Sequence, residues 1–204
     1  MDMISKQNEV RLCGTLAGRP AYSHSSRAQE FYTFPLDVQR LSGNFDRLII
    51  CARREQLEAF SAGDFDKLSV SGELRSFNNR HGEGPRLVIS VFAKELCPCF
   101  QPDSNFISLS GTVCKEPNFR CTPMGRDICD IMLAVNRHYG RSDYLPIICW
   151  GKNALTASSL PVGAKITVEG RVQSRNYIKL TETGPVSRTA YEVSVAQLCT
   201  ETLP

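Results

Sequence analysis

The chain has 204 residues, 42% hydrophobic and 22% charged, with 24 Lys and Arg against 21 Asp and Glu for a formal charge of +3. That balance excludes wholesale disorder, a coiled coil or a collagen-like rod, and it excludes a strong overall basic field aimed at a polyanion. The length suits one large domain or two of about 100 residues each.

The opening Met1–Asn8 has no basic head followed by an apolar segment, so no secretory signal is expected. No stretch reaches the roughly 18 apolar residues that span a bilayer. A soluble, cytoplasmic chain without a membrane partner is therefore expected. Val10, Leu12 and Leu16 alternate with polar residues, as do Phe34, Leu36 and Val38, and Ile49-Ile50-Cys51 follows. These predict three strands, each with one buried face. Arg54–Ala62 fits a short helix, with Leu57 and Phe60 about one turn apart. Two further strands are predicted at Lys67–Phe77 and Leu87–Ala93. Cys97–Ser104, interrupted by Pro98 and Pro102, reads as a linker.

Beyond the linker the pattern returns. Asn8-x-Val10-x-Leu12-x-Gly14-Thr15-Leu16 lies against Asn105-x-Ile107-x-Leu109-x-Gly111-Thr112-Val113 at an offset of 97, which also sets Pro20 on Pro117 and Phe34-x-Leu36-x-Val38-x-Arg40 on Ile131-x-Leu133-x-Val135-x-Arg137. Read by residue type, the offset then becomes 98, pairing Ile49-Ile50-Cys51 with Ile147-Ile148-Cys149. It continues through Lys67-Leu68-Ser69-Val70-x-Gly72 and Lys165-Ile166-Thr167-Val168-x-Gly170. A period this long is a duplicated domain, since solenoid repeats run to roughly 20–50 residues. The second copy repeats the helix at Asn153–Leu160 and the last strands at Lys165–Tyr177 and Thr189–Leu198.

Three strands, a helix and two strands is the order of an OB-fold, a five-stranded Greek-key barrel with a helix between strands 3 and 4. The fold class is all-β: two tandem OB-folds, over residues 6–96 and 105–199, joined by a linker at 97–104. An SH3-like barrel is the competing geometry, but it usually lacks the mid-domain helix. Gly72 and Gly170 fall inside strand 4, where a small barrel bends sharply.

Nine cysteines are an odd number in a chain too long to depend on staples. Cys13, Cys51, Cys114, Cys129, Cys149 and Cys199 lie in or beside apolar runs and are expected to be reduced filling. The close pair Cys97-Pro98-Cys99 has no second knuckle, so no metal is expected, and no cofactor. Asp127 and Asp130 read as a solvated turn. No G-x-x-x-x-G-K-[ST], H-E-x-x-H or G-x-S-x-G is present, and three scattered histidines offer no acid–base pair, so no enzyme is expected.

The second copy carries a specific ordered set: Leu133-Ala134-Val135-Asn136-Arg137-x-Tyr139, Asp143-Tyr144, Cys149-Trp150-Gly151-Lys152-Asn153-Ala154, Val168-Glu169-Gly170-Arg171-Val172-Gln173-Ser174-Arg175-Asn176-Tyr177 and Tyr191-Glu192-Val193. With Leu109-Ser110-Gly111-Thr112-Val113 and Thr122-Pro123-Met124-Gly125, this resembles the bacterial single-stranded DNA-binding protein family over nearly all of residues 105–198. The resemblance implies that Tyr139, Tyr144, Trp150 and Tyr177 stack on DNA bases, a sequence-tolerant contact because every base has a π-face. Arg137 and Arg175 lie two residues before Tyr139 and Tyr177, and Lys152 lies two after Trp150. Strand alternation would set each cation beside its ring, for phosphates or cation–π support. Arg171 and Lys179 add charge along the same groove.

The first copy holds Ala52 opposite Trp150, Asn79 opposite Tyr177, and Asp46 and Leu41 near the places of Tyr144 and Tyr139. It is expected to play a weaker, electrostatic part through Arg40, Arg53, Arg54, Arg75, Arg80 and Arg86. Members of the resembled family assemble four OB-folds, so two per chain imply a homodimer. The acidic tail such members carry has no counterpart in Gln197–Pro204, and recruitment through it is not expected. The function expected is coating of single-stranded DNA in replication, recombination or repair. The alternative is an OB-fold protein-interaction module, accessory to a replisome or primosome.

Overall fold

A computed structural model describes residues 7–58, 66–79, 86–137, 140–181 and 184–200. The chain divides into two compact units, one of Met1–Glu9, Phe106–Arg171 and Glu192–Pro204, the other of Val10–Asn105 and Val172–Tyr191. The first repeat contains β1 (Asn8–Leu16), β2 (Ala21–Ser26), β3 (Gln29–Gln39), β4 (Phe45–Arg53), α1 (Arg54–Glu58), β5 (Lys67–Asn78) and β6 (Leu87–Pro98). The second contains β7 (Ser104–Val113), β8 (Asn118–Cys121), β9 (Asp127–Asn136), β10 (Ser142–Trp150), α2 (Lys152–Ser158), β11 (Lys165–Thr181) and β12 (Gly184–Thr200).

Each repeat closes a five-stranded ring. β1 pairs antiparallel with β3 and β5, β3 with β4, and β5 with β6, while β4 and β6 run parallel. The second repeat reproduces this with β7–β9, β7–β11, β9–β10 and the parallel β10–β12, and β11 neighbours β12. This is the OB-fold that the element order predicts, closed so that no barrel strand is left unpaired. The alternating residues fill it: Phe34, Leu36, Val38, Leu48 and Ile50 in one barrel and Ile131, Leu133, Val135, Leu145 and Ile147 in the other are all buried.

Two short strands lie outside the expected five. β2 and β8 pair only onto β3 and β9, and every residue in them is exposed. With no buried face they carry no alternation, so neither is among the expected strands. Helix α1 is observed over Arg54–Glu58, and the rest of its expected span lies outside the described residues. Strand β6 continues to Pro98, and the Cys99 N–H then donates to the Lys67 carbonyl at 3.0 Å.

Strand register corrects the self-alignment. Ile50 and Cys51 face Val91 and Phe92, just as Ile147 and Ile148 face Val193 and Ser194. The offset is therefore still 97 through β4, and buried Asp46 and Asp143 fall on each other. The residue added in the second copy is Gly151, at φ 53 between β10 and α2, a backbone conformation that suits glycine. Arg53, rather than Ala52, thus stands where Trp150 stands, and Arg47 stands in the place of Tyr144.

Gly72 and Gly170 keep the offset of 98 and share a cause. A Cβ on either would lie 2.1 Å from a carbonyl oxygen, that of Phe92 or of Ser194. In the first repeat the ladder shifts register between Ser71 and Gly72, a bulge that bends the barrel strand.

The cysteines need two corrections, the first being that Cys199, expected as filling, is exposed. Cys13 is not reduced filling: it is joined to Cys99 by a disulfide across a sequence separation of 86. Cys51, Cys129 and Cys149 are free and buried.

Candidate nucleic-acid interface

The β9–β10 hairpin is locked at its base. The Arg137 N–H donates to the Arg141 carbonyl at 2.7 Å, and Arg137 Nε donates to Asp143 Oδ2 at 2.6 Å, with a second guanidinium contact to Oδ1. Asp143 is fully buried. Arg137, expected as a groove cation, therefore has its guanidinium directed at an internal carboxylate. Tyr139, its expected ring, lies outside the described residues.

Along β10, Tyr144 and Trp150 project from the face opposite the buried Leu145 and Ile147, across from Ala134 and Ile128. Six residues of strand separate them by about 20 Å. Tyr144 is half exposed and Trp150 is 36% exposed. The Trp150 indole Nε1 donates to Ser194 Oγ at 3.1 Å, so its one polar atom is satisfied and its ring plane oriented. Sequence reasoning missed Ser194; a serine on the last strand carries no signal until the parallel β10–β12 register sets it beside the indole.

Lys152 does not follow Trp150 on the strand. β10 ends at Trp150, the chain turns at Gly151, and Lys152 is the first residue of α2, exposed. The alternation expected to place it beside the indole stops one residue too early. Arg171, also exposed, keeps its place on β11. Tyr144, Trp150, Lys152 and Arg171 belong to one compact unit, and Arg175, Tyr177 and Lys179 to the other.

On β11 the expected alternation does produce a cation beside a ring. Arg175, Tyr177 and Lys179 are exposed at alternate positions, and the Arg175 guanidinium carbon sits 5.9 Å from the Tyr177 ring centroid, within cation–π range. Ser174, next to this run, donates its N–H to Asp46 Oδ1 at 2.8 Å and accepts the Arg47 N–H on Oγ at 3.0 Å.

No group of three or more His, Cys, Asp or Glu able to hold a metal occurs among the described residues. Asp130 instead accepts from Arg120 Nε at 2.9 Å, and Asp127 offers its carbonyl to the Gly151 N–H at 3.0 Å. No described helix is long and apolar enough to cross a membrane.

The second repeat is similar in sequence to known proteins. Residues 104–199 match the Single-strand binding protein family. The Single-stranded DNA-binding protein of Clostridium tetani is 34% identical over 80 residues, 36% of this chain and 55% of its own length. The Single-stranded DNA-binding protein 2 of Listeria innocua is 35% identical over 80 residues, 36% of this chain and 50% of its own length. The chain thus spans about half the length of the curated relatives it matches. The crystal structure of wild-type single-stranded DNA binding protein from Thermus aquaticus superposes with a TM-score of 0.77 at 22% identity, covering 97% of this chain and 94% of that one, a likeness of fold.

Proposed function

We propose, from the match of residues 104–199 to the Single-strand binding protein family, that this chain binds single-stranded DNA without strong sequence preference, protecting it during replication, recombination or repair. Tyr144, Trp150 and Tyr177 stack on bases, with Tyr139 as a further ring of the set, while Lys152, Arg171, Arg175 and Lys179 meet phosphates. The carrying observation is Trp150: a partly exposed indole held by Ser194 on a strand of the barrel. A ring fixed this way presents a flat apolar face whose ordering is already complete before a base arrives.

The action is binding rather than catalysis, and its setting is the cytoplasm. Residues 6–96 and 105–199 act as two OB modules joined at 97–104, and two chains form a homodimer with four barrels. Light scattering of the purified chain tests that stoichiometry.

Oligo-dT titration tests the function. Trp150 is the sole tryptophan, so its emission reports on this face directly. Stoichiometric quenching is expected at low salt, with a log–log salt slope of about −3 if four cations each meet a phosphate. Absence of quenching at low salt would overturn the proposal.

A further inference from the structure

The first repeat lacks rings at the places of Tyr144 and Trp150, yet the corresponding sheet face is not empty. On the second repeat that face pairs Ile128 of β9 with Trp150 of β10. On the first, the equivalent pair is Phe31 of β3 with Arg53 of β4. The ring has moved across the ladder to the partner strand, and a cation occupies the indole's place. Directly paired residues share a face, so the exchange keeps the ring on the same surface of the barrel.

The strands on either side add to it. Phe92, facing Cys51 on β6, occupies the place of Ser194, the residue that holds Trp150. Its ring centroid lies 6.0 Å from that of Phe31, and the Arg75 guanidinium carbon lies 6.0 Å from the Phe92 ring centroid. From β2, His24 faces Phe31 and stacks on it at 4.9 Å with an interplanar angle of 13°. Phe31 is buried and Phe92 half-buried, whereas His24 is exposed. The result is a layered surface: an exposed imidazole backed by a buried phenyl ring, with Phe92 beside that ring and Arg53 paired across the ladder from it, while Arg75, over Phe92, is ion-paired with Glu73. Packing alone would be served by an aliphatic side chain over Phe31, whereas a flat ring lying parallel to it extends a stacking column toward solvent.

We propose that the first repeat carries its own base-stacking surface, with His24 on Phe31 as the platform, Phe92 flanking it, and Arg53 supplying positive charge to the neighbouring phosphates. This rests on the reading of the chain as a single-stranded DNA-binding protein, and it assigns a ligand contact to residues that do not correspond to the rings of the second repeat.

A direct test moves the only tryptophan. In the full-length double variant Trp150→Phe, His24→Trp, the sole indole reports on the first repeat, and the exposed position tolerates the larger ring. Binding is followed in parallel by anisotropy of a labelled oligo-dT of about 30 nucleotides, long enough for two OB-folds, and one of about 12, within the span of one. Quenching of the indole at position 24 by the longer oligonucleotide, together with a ~5- to 20-fold loss of affinity for it in His24→Ala, is the expected result. Binding by anisotropy without quenching at position 24, and unchanged affinity in His24→Ala, would overturn the first-repeat surface while leaving the second repeat's role intact. If the unaltered chain binds neither oligonucleotide, the functional reading itself fails and this surface fails with it.

Discussion

Asp143 and Arg137 close the β9–β10 hairpin with a carboxylate that has no solvent exposure, and Asp46 and Arg40 do the same at the corresponding place on β3 and β4. In both, the guanidinium Nε donates to Oδ2, at 2.6 and 2.7 Å. The Arg40 guanidinium is held above its ordinary range by the hydrogen bond it donates to Asp46, against a smaller opposing effect of burial. A buried carboxylate is tolerable only with its partner in place. Arg137→Ala is expected to lower unfolding free energy by about 3 kcal/mol, measured by chemical denaturation, and Arg40→Ala to act in the same direction.

Trp150→Ala should weaken oligo-dT binding by the value of one stacked base, about 1–3 kcal/mol. Ser194→Ala should leave the fold intact and weaken binding by about 1 kcal/mol, through loss of the hydrogen bond that orients the indole. Anisotropy titrations of both variants check this order. Equal affinity in all three proteins would show that the indole does not meet a base.

Gly170→Ala and Gly72→Ala should each cost about 3 kcal/mol, because the new Cβ would lie 2.1 Å from a backbone oxygen that belongs to the adjoining strand and cannot swing aside. Gly43→Ala is the comparison: at φ 85 it is strained locally but meets nothing within 4 Å. Thermal melts of the three variants should place both barrel glycines well below Gly43→Ala.

Cys149 supplies a pH dependence. Burial, reinforced by nearby Cys129 and Asp130, pushes its thiol from 9.0 to about 12. The unfolded chain can therefore ionise this group in a range where the folded chain cannot. Its stabilising effect is complete below pH 9.0 and is lost as pH rises toward 12, at up to about 1.4 kcal/mol per pH unit. Denaturation midpoints across that range should fall, and fall less in Cys149→Ala. At neutral pH, alkylation with mass-spectrometric readout should label exposed Cys97, Cys121 and Cys199 quickly and Cys149 only on unfolding.

The barrel strands were legible because each carries its own buried face: Phe34-x-Leu36-x-Val38 and Ile131-x-Leu133-x-Val135 state their alternation locally. The same locality explains the misplaced insertion. Ile49-Ile50-Cys51 and Ile147-Ile148-Cys149 match letter for letter, but similar apolar residues in a row say nothing about which faces inward, and only pairing with β6 and β12 fixes the parity. Lys152 was misread for a related reason, since the strand ends at Trp150 and alternation ends with it. β2 and β8 carry no local signal because both are exposed throughout.

By itself the sequence determined the duplication and the OB-fold, both of which depend on spacing along one strand and on residue type. Tertiary structure alone decided that Arg137 pairs with Asp143, that Cys13 meets Cys99, that Ser194 holds Trp150, and that Phe31, His24 and Phe92 share one face. Each of these joins residues from different strands or opposite sides of a turn, where contact is set by register and closure of the barrel rather than by distance along the chain. The +3 charge that excluded an overall basic field says nothing about such a face, because strand pairing gathers Arg53 and Arg75 around rings that lie far apart in sequence.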